Sequence, residues 1–162
     1  KVTTIKKITD RHGEIFSSSR VRQLLRDGDL DKANAVLGWP WEIRGVVIKG
    51  DQRGRDLGYP TANLALGDTA HPAYGVYAAL VKIEGEDKWH NAAVNIGIRP
   101  MFEVHTAQVE AYIMNFNRDI YGRTLHVRPV KRLRSEAKFK SVEDLIVQMK
   151  RDCEEATDML KT

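Results

Sequence analysis

Val76-Tyr77-Ala78-Ala79-Leu80-Val81-Lys82-Ile83, then Glu84-Gly85-Glu86-Asp87-Lys88, then Trp89-His90-Asn91-Ala92-Ala93-Val94-Asn95-Ile96-Gly97-Ile98 is the stretch that decides the fold. Two runs rich in β-branched and apolar residues flank a short polar link containing glycine, and the first run opens after the turn residues Pro72 and Gly75. Such runs suit a pleated, half-buried surface, and a link of this length and kind joins them as a β-hairpin.

The same texture extends in both directions. Ile43 to Lys49 is β-branched and apolar, and Gln108 to Phe116 and Thr124 to Leu133 are expected to pair with each other through Asn117-Arg118-Asp119-Ile120-Tyr121-Gly122. Strands at this spacing, with no helices between them, predict an antiparallel barrel or sandwich. Helices are expected only at the two ends. Ser18 or Ser19 can cap one that carries Val21, Leu24 and Leu25 and stops at Gly28. Asp29 can cap a second, with Leu30, Ala33, Val36 and Leu37, ended by Gly38 and Pro40. Trp39 and Trp41, on either side of Pro40, are expected to pack this segment onto the barrel. Ser141, with Asp144 three residues on, caps a C-terminal helix. Its Leu145, Ile146, Met149, Cys153, Ala156 and Leu160 form the packing stripe, with Lys150, Arg151, Asp152 and Glu154 opposite.

At 162 residues the chain is long enough for one domain with some appended structure, and it can bury a core without disulfides. Cys153 is the single cysteine, which points to a reducing cytoplasm. No apolar run is long enough to suggest a membrane span, and no secretory signal opens the chain. The start, Lys1-Val2-Thr3-Thr4, lacks methionine and reads as cut from a longer polypeptide. A net charge of +4 suits an anionic ligand such as a nucleotide, but by itself suits nucleic acid equally well.

Chemistry concentrates between Gly45 and Leu64, GVVIKGDQRGRDLGYPTANL. Gly45, Gly50, Gly54 and Gly58 punctuate a strand and a loop that carries Lys49, Arg53 and Arg55. Glycines let backbone N–H groups approach a polyphosphate, and the basic side chains supply countercharge. The spacing is not that of a Walker A loop or of a dinucleotide fingerprint. In Pro60-Thr61-Ala62-Asn63 a hydroxyl and a carboxamide stand at i and i+2, on one side of an extended segment. Both can reach one hard cation, which takes few protein oxygens and leans on substrate phosphates. His12, His71, His90, His105 and His126 show no metal-ligand spacing.

The arrangement of these glycines followed by Gly-Tyr-Pro-Thr-Ala-Asn resembles the signature of the riboflavin kinases, including the kinase module of bifunctional bacterial FAD synthetases. The resemblance continues through Pro72-Ala73-Tyr74-Gly75-Val76-Tyr77, Asn95-Ile96-Gly97-Ile98-Arg99-Pro100 and Val109-Glu110-Ala111-Tyr112-Ile113. It then runs through Asp119-Ile120-Tyr121-Gly122 and Leu133-Arg134-Ser135-Glu136-Ala137-Lys138-Phe139 to the terminal helix. It implies a mainly β fold, a six-stranded antiparallel split barrel with a C-terminal helix and short N-terminal helices, with residues 41–162 as the kinase domain. The implied reaction is transfer of the γ-phosphoryl group of ATP to the ribityl 5′-hydroxyl of riboflavin, giving FMN and ADP, with Mg²⁺ or another divalent cation.

By the same resemblance, Gly50, Arg55 and Gly58 would lie with the ATP phosphates, and Thr61 and Asn63 would contact the metal and the nucleotide. Glu110 would be the catalytic carboxylate. Ile113, Asn115 and Tyr121 would lie near the nucleotide, and Arg134, Ala137 and Phe139 on the flavin side. Asn115, Asn117, Met101 and the pair Ala111-Tyr112 depart from what bacterial relatives commonly carry. Ile15 to Arg22 resembles the end of the adenylyltransferase module of those synthetases, so residues 1–40 are expected to be its remnant or linker, with the module itself N-terminal in the full-length protein. Neither nucleic acid nor membrane is expected as a partner. A nucleic-acid-binding barrel would interleave basic and aromatic residues along its strands, and a flavin-binding barrel without kinase activity would need neither ATP nor metal.

Overall fold

β3 (Gly75–Ile83) and β4 (His90–Met101) form the expected hairpin, in register from Gly75 opposite Ile96 to Val81 opposite His90. The computed structural model describes residues 8–10, 13–50, 53–101 and 104–161. The Lys1–Thr4 opening, His12 and the side chains of Arg53, Met101 and His105 lie outside the described residues.

Four more strands complete one antiparallel sheet among the described residues. β4 pairs with β5 (Val104–Ile113), and β5 takes β2 (Ala62–Ala65) on its other side. β3 pairs with β6 (Thr124–Arg134), and β6 takes β1 (Ile43–Val46), so the order is β1-β6-β3-β4-β5-β2. The two edges curl back on each other. The Ile48 N–H donates to the Asn63 carbonyl at 2.8 Å, and a side chain at Gly45 would meet Leu64 at 3.2 Å. The sheet is therefore a nearly closed barrel, which leaves little unpaired edge.

The expected β5–β6 pair does not form. β5 lies between β4 and β2, and β6 between β3 and β1, so residues 114–123 cross from one part of the barrel to another instead of making a hairpin. Alternation marks a segment as a strand without naming its neighbour, and the short β2, hidden in the glycine-rich stretch, takes the place beside β5.

Alternate residues point inward and fill the barrel: Tyr77, Ala79 and Val81 from β3, Val94 and Ile96 from β4, Val109 and Ala111 from β5, Leu125 and Val127 from β6. Tyr77 is fully buried, and its hydroxyl donates to the Ala73 carbonyl. On the outer face Ala78 stands opposite Ala93, and both pack with Ala156 of α4 (Val142–Met159). Small residues at all three positions let the helix approach the sheet closely. Ser141 caps α4 as expected, accepting from the Asp144 N–H at 3.1 Å. Asp152 departs from expectation. It is only 4% exposed, because it falls one turn after Gln148 on the barrel side, where Arg134 of β6 supplies its countercharge.

At the other end, α1 (Ser18–Asp27) is capped by Ser17, not by Ser18 or Ser19. A small ladder brings the Phe16 N–H to the Ile8 carbonyl, and Arg20 pairs with Asp10 and Glu14. Ser17 is thus the first residue free to turn into the helix, and its hydroxyl accepts from the Arg20 N–H. Asp29 caps α2 (Leu30–Leu37), accepting from the Lys32 N–H. Leu25, Leu30 and Ala33 are buried in the same core as Ile43 and Leu125. Trp41 joins that core, whereas Trp39 is 64% exposed and stays outside it.

Candidate functional site

Thr61 and Asn63 stand where two cavities meet, each of about 370 Å³, and line both. The proline ahead of them fixes an extended entry into β2. Asn63 is 6% exposed, and its Nδ2 donates to the Thr61 carbonyl at 3.1 Å and toward Thr61 Oγ1 at 3.4 Å. The two side chains therefore lie on one side of the strand and touch, as their i, i+2 spacing requires. Gly50 lies against Asn63: a Cβ at that position would fall 2.6 Å from the carboxamide carbon. Only glycine lets this loop pass so close.

The first cavity opens beside the crossing segment after β5. Arg55, Ile113 and Tyr121 line it, as do Phe116, Arg118 and Asp119. Arg118 lies over the Phe116 ring at 4.9 Å and grips Glu86 with both terminal nitrogens, at 3.2 and 2.8 Å.

The second cavity lies on the outer face of the sheet, under α4 and the loop 135–140. A single row of registered residues crosses five strands along its floor. Asn63 is opposite Glu110, Glu110 opposite Asn95, Asn95 opposite Val76, and Val76 opposite Arg134. All five line the cavity, with Ala137 and Phe139 beside Arg134. Arg134 is held rigidly. Its Nε donates to Asp152 Oδ1 at 2.9 Å and its Nη2 to Oδ2 at 2.6 Å, and Gln148 donates to the same carboxylate at 2.9 Å. Its guanidinium also faces the Phe139 ring at 5.8 Å. Tyr59 and Tyr112 form the other wall, edge to face at 5.1 Å. Burial raises the Tyr112 hydroxyl above its ordinary range, with smaller contributions from Cys153 and Tyr59. Burial, helped by Asp152 and Glu154, pushes the Cys153 thiol up to about 11, so it is a neutral wall of the cavity at physiological pH.

Two cavities joined at a hydroxyl–carboxamide pair, with a half-buried carboxylate in register beside it, can hold two substrates end to end. The riboflavin kinase family model (Flavokinase) matches residues 37–160. The chain belongs to the riboflavin kinase family. A bifunctional riboflavin kinase/FMN adenylyltransferase of Bacillus subtilis is 39% identical over 158 residues, covering 95% of this chain and 49% of that protein. The chain spans about half the length of the curated relatives it matches. A crystal structure of a riboflavin kinase from Trypanosoma brucei aligns with a TM-score of 0.54 and 26% identity over 76% of this chain and 81% of that one. A structure described as a macrolide-efflux protein from Streptococcus pneumoniae aligns with a TM-score of 0.82 and 40% identity, over 94% of this chain and 50% of that one. Among the described residues, no helix is long and apolar enough to cross a membrane.

Within this riboflavin kinase barrel, nine of the sequence-expected site residues line the two cavities. Arg55, Ile113 and Tyr121 line the first, Glu110, Arg134, Ala137 and Phe139 the second, and Thr61 and Asn63 both. Gly50, Gly58 and Asn115 line neither. Gly50 backs onto Asn63, Gly58 closes the turn after α3 (Arg53–Asp56) through its N–H to the Arg55 carbonyl, and Asn115 turns the chain after β5 with φ 53°. Asn95, Tyr59, Arg118 and Asp152 were not expected there. Asn95 carried a signal, since it opens one of the family blocks, whereas Asp152 lies 18 residues from its partner and had none.

Proposed function

We propose that the chain transfers the γ-phosphoryl group of ATP to the ribityl 5′-hydroxyl of riboflavin, giving FMN and ADP. The observation that carries this reading is the junction of the two cavities at Thr61 and Asn63, with Glu110 directly opposite Asn63. ATP would occupy the first cavity, with Arg55 supplying countercharge to its phosphates and Ile113 and Tyr121 against the nucleotide. The flavin ring would lie in the second, against Arg134, Ala137 and Phe139. The hydroxyl oxygen attacks the γ-phosphorus, the bond to the bridging oxygen of ADP breaks, and Glu110 accepts the hydroxyl proton. Phosphoryl transfer asks a protein mainly for positioning and charge stabilisation, and two cavities meeting end to end provide the positioning.

Among the described residues, no group of three or more His, Cys, Asp or Glu side chains is placed to hold a metal ion. The donor set fits a hard cation all the same. With Asn63 Nδ2 turned to the Thr61 carbonyl, Asn63 Oδ1 and Thr61 Oγ1 remain as neutral oxygen donors, and Mg²⁺ or another divalent cation takes its other ligands from phosphates and water. When bound, such a cation neutralises charge on the transferring phosphates.

We take residues 41–162 as the kinase domain and residues 1–40 as the end of an adenylyltransferase module that precedes it in the full-length protein. Cys153 is the single cysteine of the sequence, which suits a reducing cytoplasm, and neither nucleic acid nor membrane is a partner in this reading. Incubating the purified chain with riboflavin, excess ATP and Mg²⁺, then separating flavins by chromatography, should show FMN accumulating alone. No FMN would overturn the kinase assignment. A steady FAD peak in protein free of host enzymes would overturn the reading of residues 1–40.

A further inference from the structure

The row across the floor of the second cavity has one polar member without an assigned task. Asn95 is half-buried and stands between Glu110 on one side and Val76 on the other. Among the described residues nothing hydrogen-bonds its carboxamide, although the group faces the cavity. The amide is open to the cavity, and a ligand that displaces water from it has to offer a hydrogen bond in return.

We infer that Asn95 reads the inner hydroxyls of the polyhydroxy chain that links the flavin ring to the reacting 5′-hydroxyl. This rests on the proposed kinase reaction and goes beyond it, to how the enzyme selects its acceptor. Adjacent strands lie about 4.8 Å apart. From Glu110, where the 5′-hydroxyl must sit, one strand step leads to Asn95 and two more lead past Val76 to Arg134. An acceptor lying along that row sets its reacting end over the carboxylate, its hydroxylated chain over the carboxamide, and its ring over apolar Val76 and Ala93, between Tyr112 and the Arg134–Phe139 pair. The polarity of the floor thus follows the polarity of the ligand, one strand at a time. A carboxamide both donates and accepts, which suits a hydroxyl on either account. A site built to satisfy a substrate hydroxyl rejects an analogue that lacks it, because the protein group is then left unpaired.

The test compares kcat/KM for riboflavin with kcat/KM for a flavin carrying an unbranched 5-hydroxypentyl chain, which keeps the ring and the reacting hydroxyl but has no inner hydroxyls. The wild-type enzyme should prefer riboflavin. In Asn95→Leu the ratio of the two values should fall about tenfold, the size of one hydrogen bond, and Asn95→Ser, which keeps a hydroxyl, should recover part of it. Because a ratio is read within each variant, a general loss of stability leaves it unmoved. An unchanged ratio, even with both activities lowered, overturns the assignment and makes Asn95 a structural residue of β4. A wild-type enzyme that phosphorylates neither compound overturns the kinase reading itself, a distinct result.

Discussion

Asn63 and Glu110 face each other across the β2–β5 pair, a buried carboxamide opposite a half-buried carboxylate. Directly opposed residues in an antiparallel pair hold their Cβ atoms about 5 Å apart. One backbone ladder therefore fixes the distance between the group proposed to face the phosphates and the group proposed to take the proton. Loop motion on either side does not change it.

Glu110→Gln keeps the shape and removes the base. Its kcat should fall by about 10²–10⁴-fold with little change in KM for MgATP, because a general base acts in the transition state and not on bound nucleotide. Steady-state kinetics checks this. Turnover close to wild type would mean that another group takes the proton.

Thr61→Ala and Asn63→Ala each remove one oxygen from the proposed cation site. MgATP affinity should drop about tenfold or more, while the much weaker binding of ATP in chelator should not change. Calorimetric titrations with and without Mg²⁺ separate these cases, and equal losses in both would point to a direct contact with the nucleotide instead.

Asp152→Ala leaves the Arg134 guanidinium without its countercharge. The fold should lose about 3 kcal/mol in urea denaturation, the lower end for a broken buried pair because Arg134 keeps some contact with water. KM for riboflavin should rise, with KM for MgATP unmoved. Replacing both Arg134 and Asp152 by leucine should restore stability without restoring riboflavin affinity. Recovery of both would show that the pair only braces α4.

Burial pushes the Cys153 thiol from an ordinary 9.0 up to about 11. The thiolate is the reactive form, so at pH 8 the native chain should hold about a hundredfold less of it than the unfolded chain. Iodoacetamide should modify native protein correspondingly slowly, as followed by mass spectrometry. The sign for stability follows from the raised value. The buried neutral thiol favours the fold fully below pH 9, and that contribution disappears as the pH rises through about 11. Cys153→Ala should flatten the alkaline fall in melting temperature, and native alkylation as fast as in denaturant would refute the burial.

What could be read from the residues alone was local. The hairpin from Val76 to Ile98, the caps at Asp29 and Ser141, and the touching side chains of Thr61 and Asn63 all follow from short-range rules of period and turn chemistry. What could not be read was partnership at a distance. Nothing in the alternation of β5 says that its second neighbour is β2 and not β6. Nothing in the helical period of α4 says that Asp152 is buried, because its countercharge comes from another element. Ser18 and Ser19 were the expected caps, and the ladder ahead of Ser17 moved the start of the helix one residue earlier.

Leu25, Leu30 and Ala33 plug the same core that the strands enclose. A fragment trimmed to begin at residue 37, where the family match starts, would pull out all three and leave a hole beside Ile43 and Leu125. Each lost leucine costs about 2–5 kcal/mol, against a total of about 5–15 kcal/mol for a whole domain. A fragment that still folds is therefore expected to start no later than Ser17, which thermal melts of chains begun at residues 17 and 37 would check. Whatever the ancestry of these two helices, they share one core with the barrel and move with it.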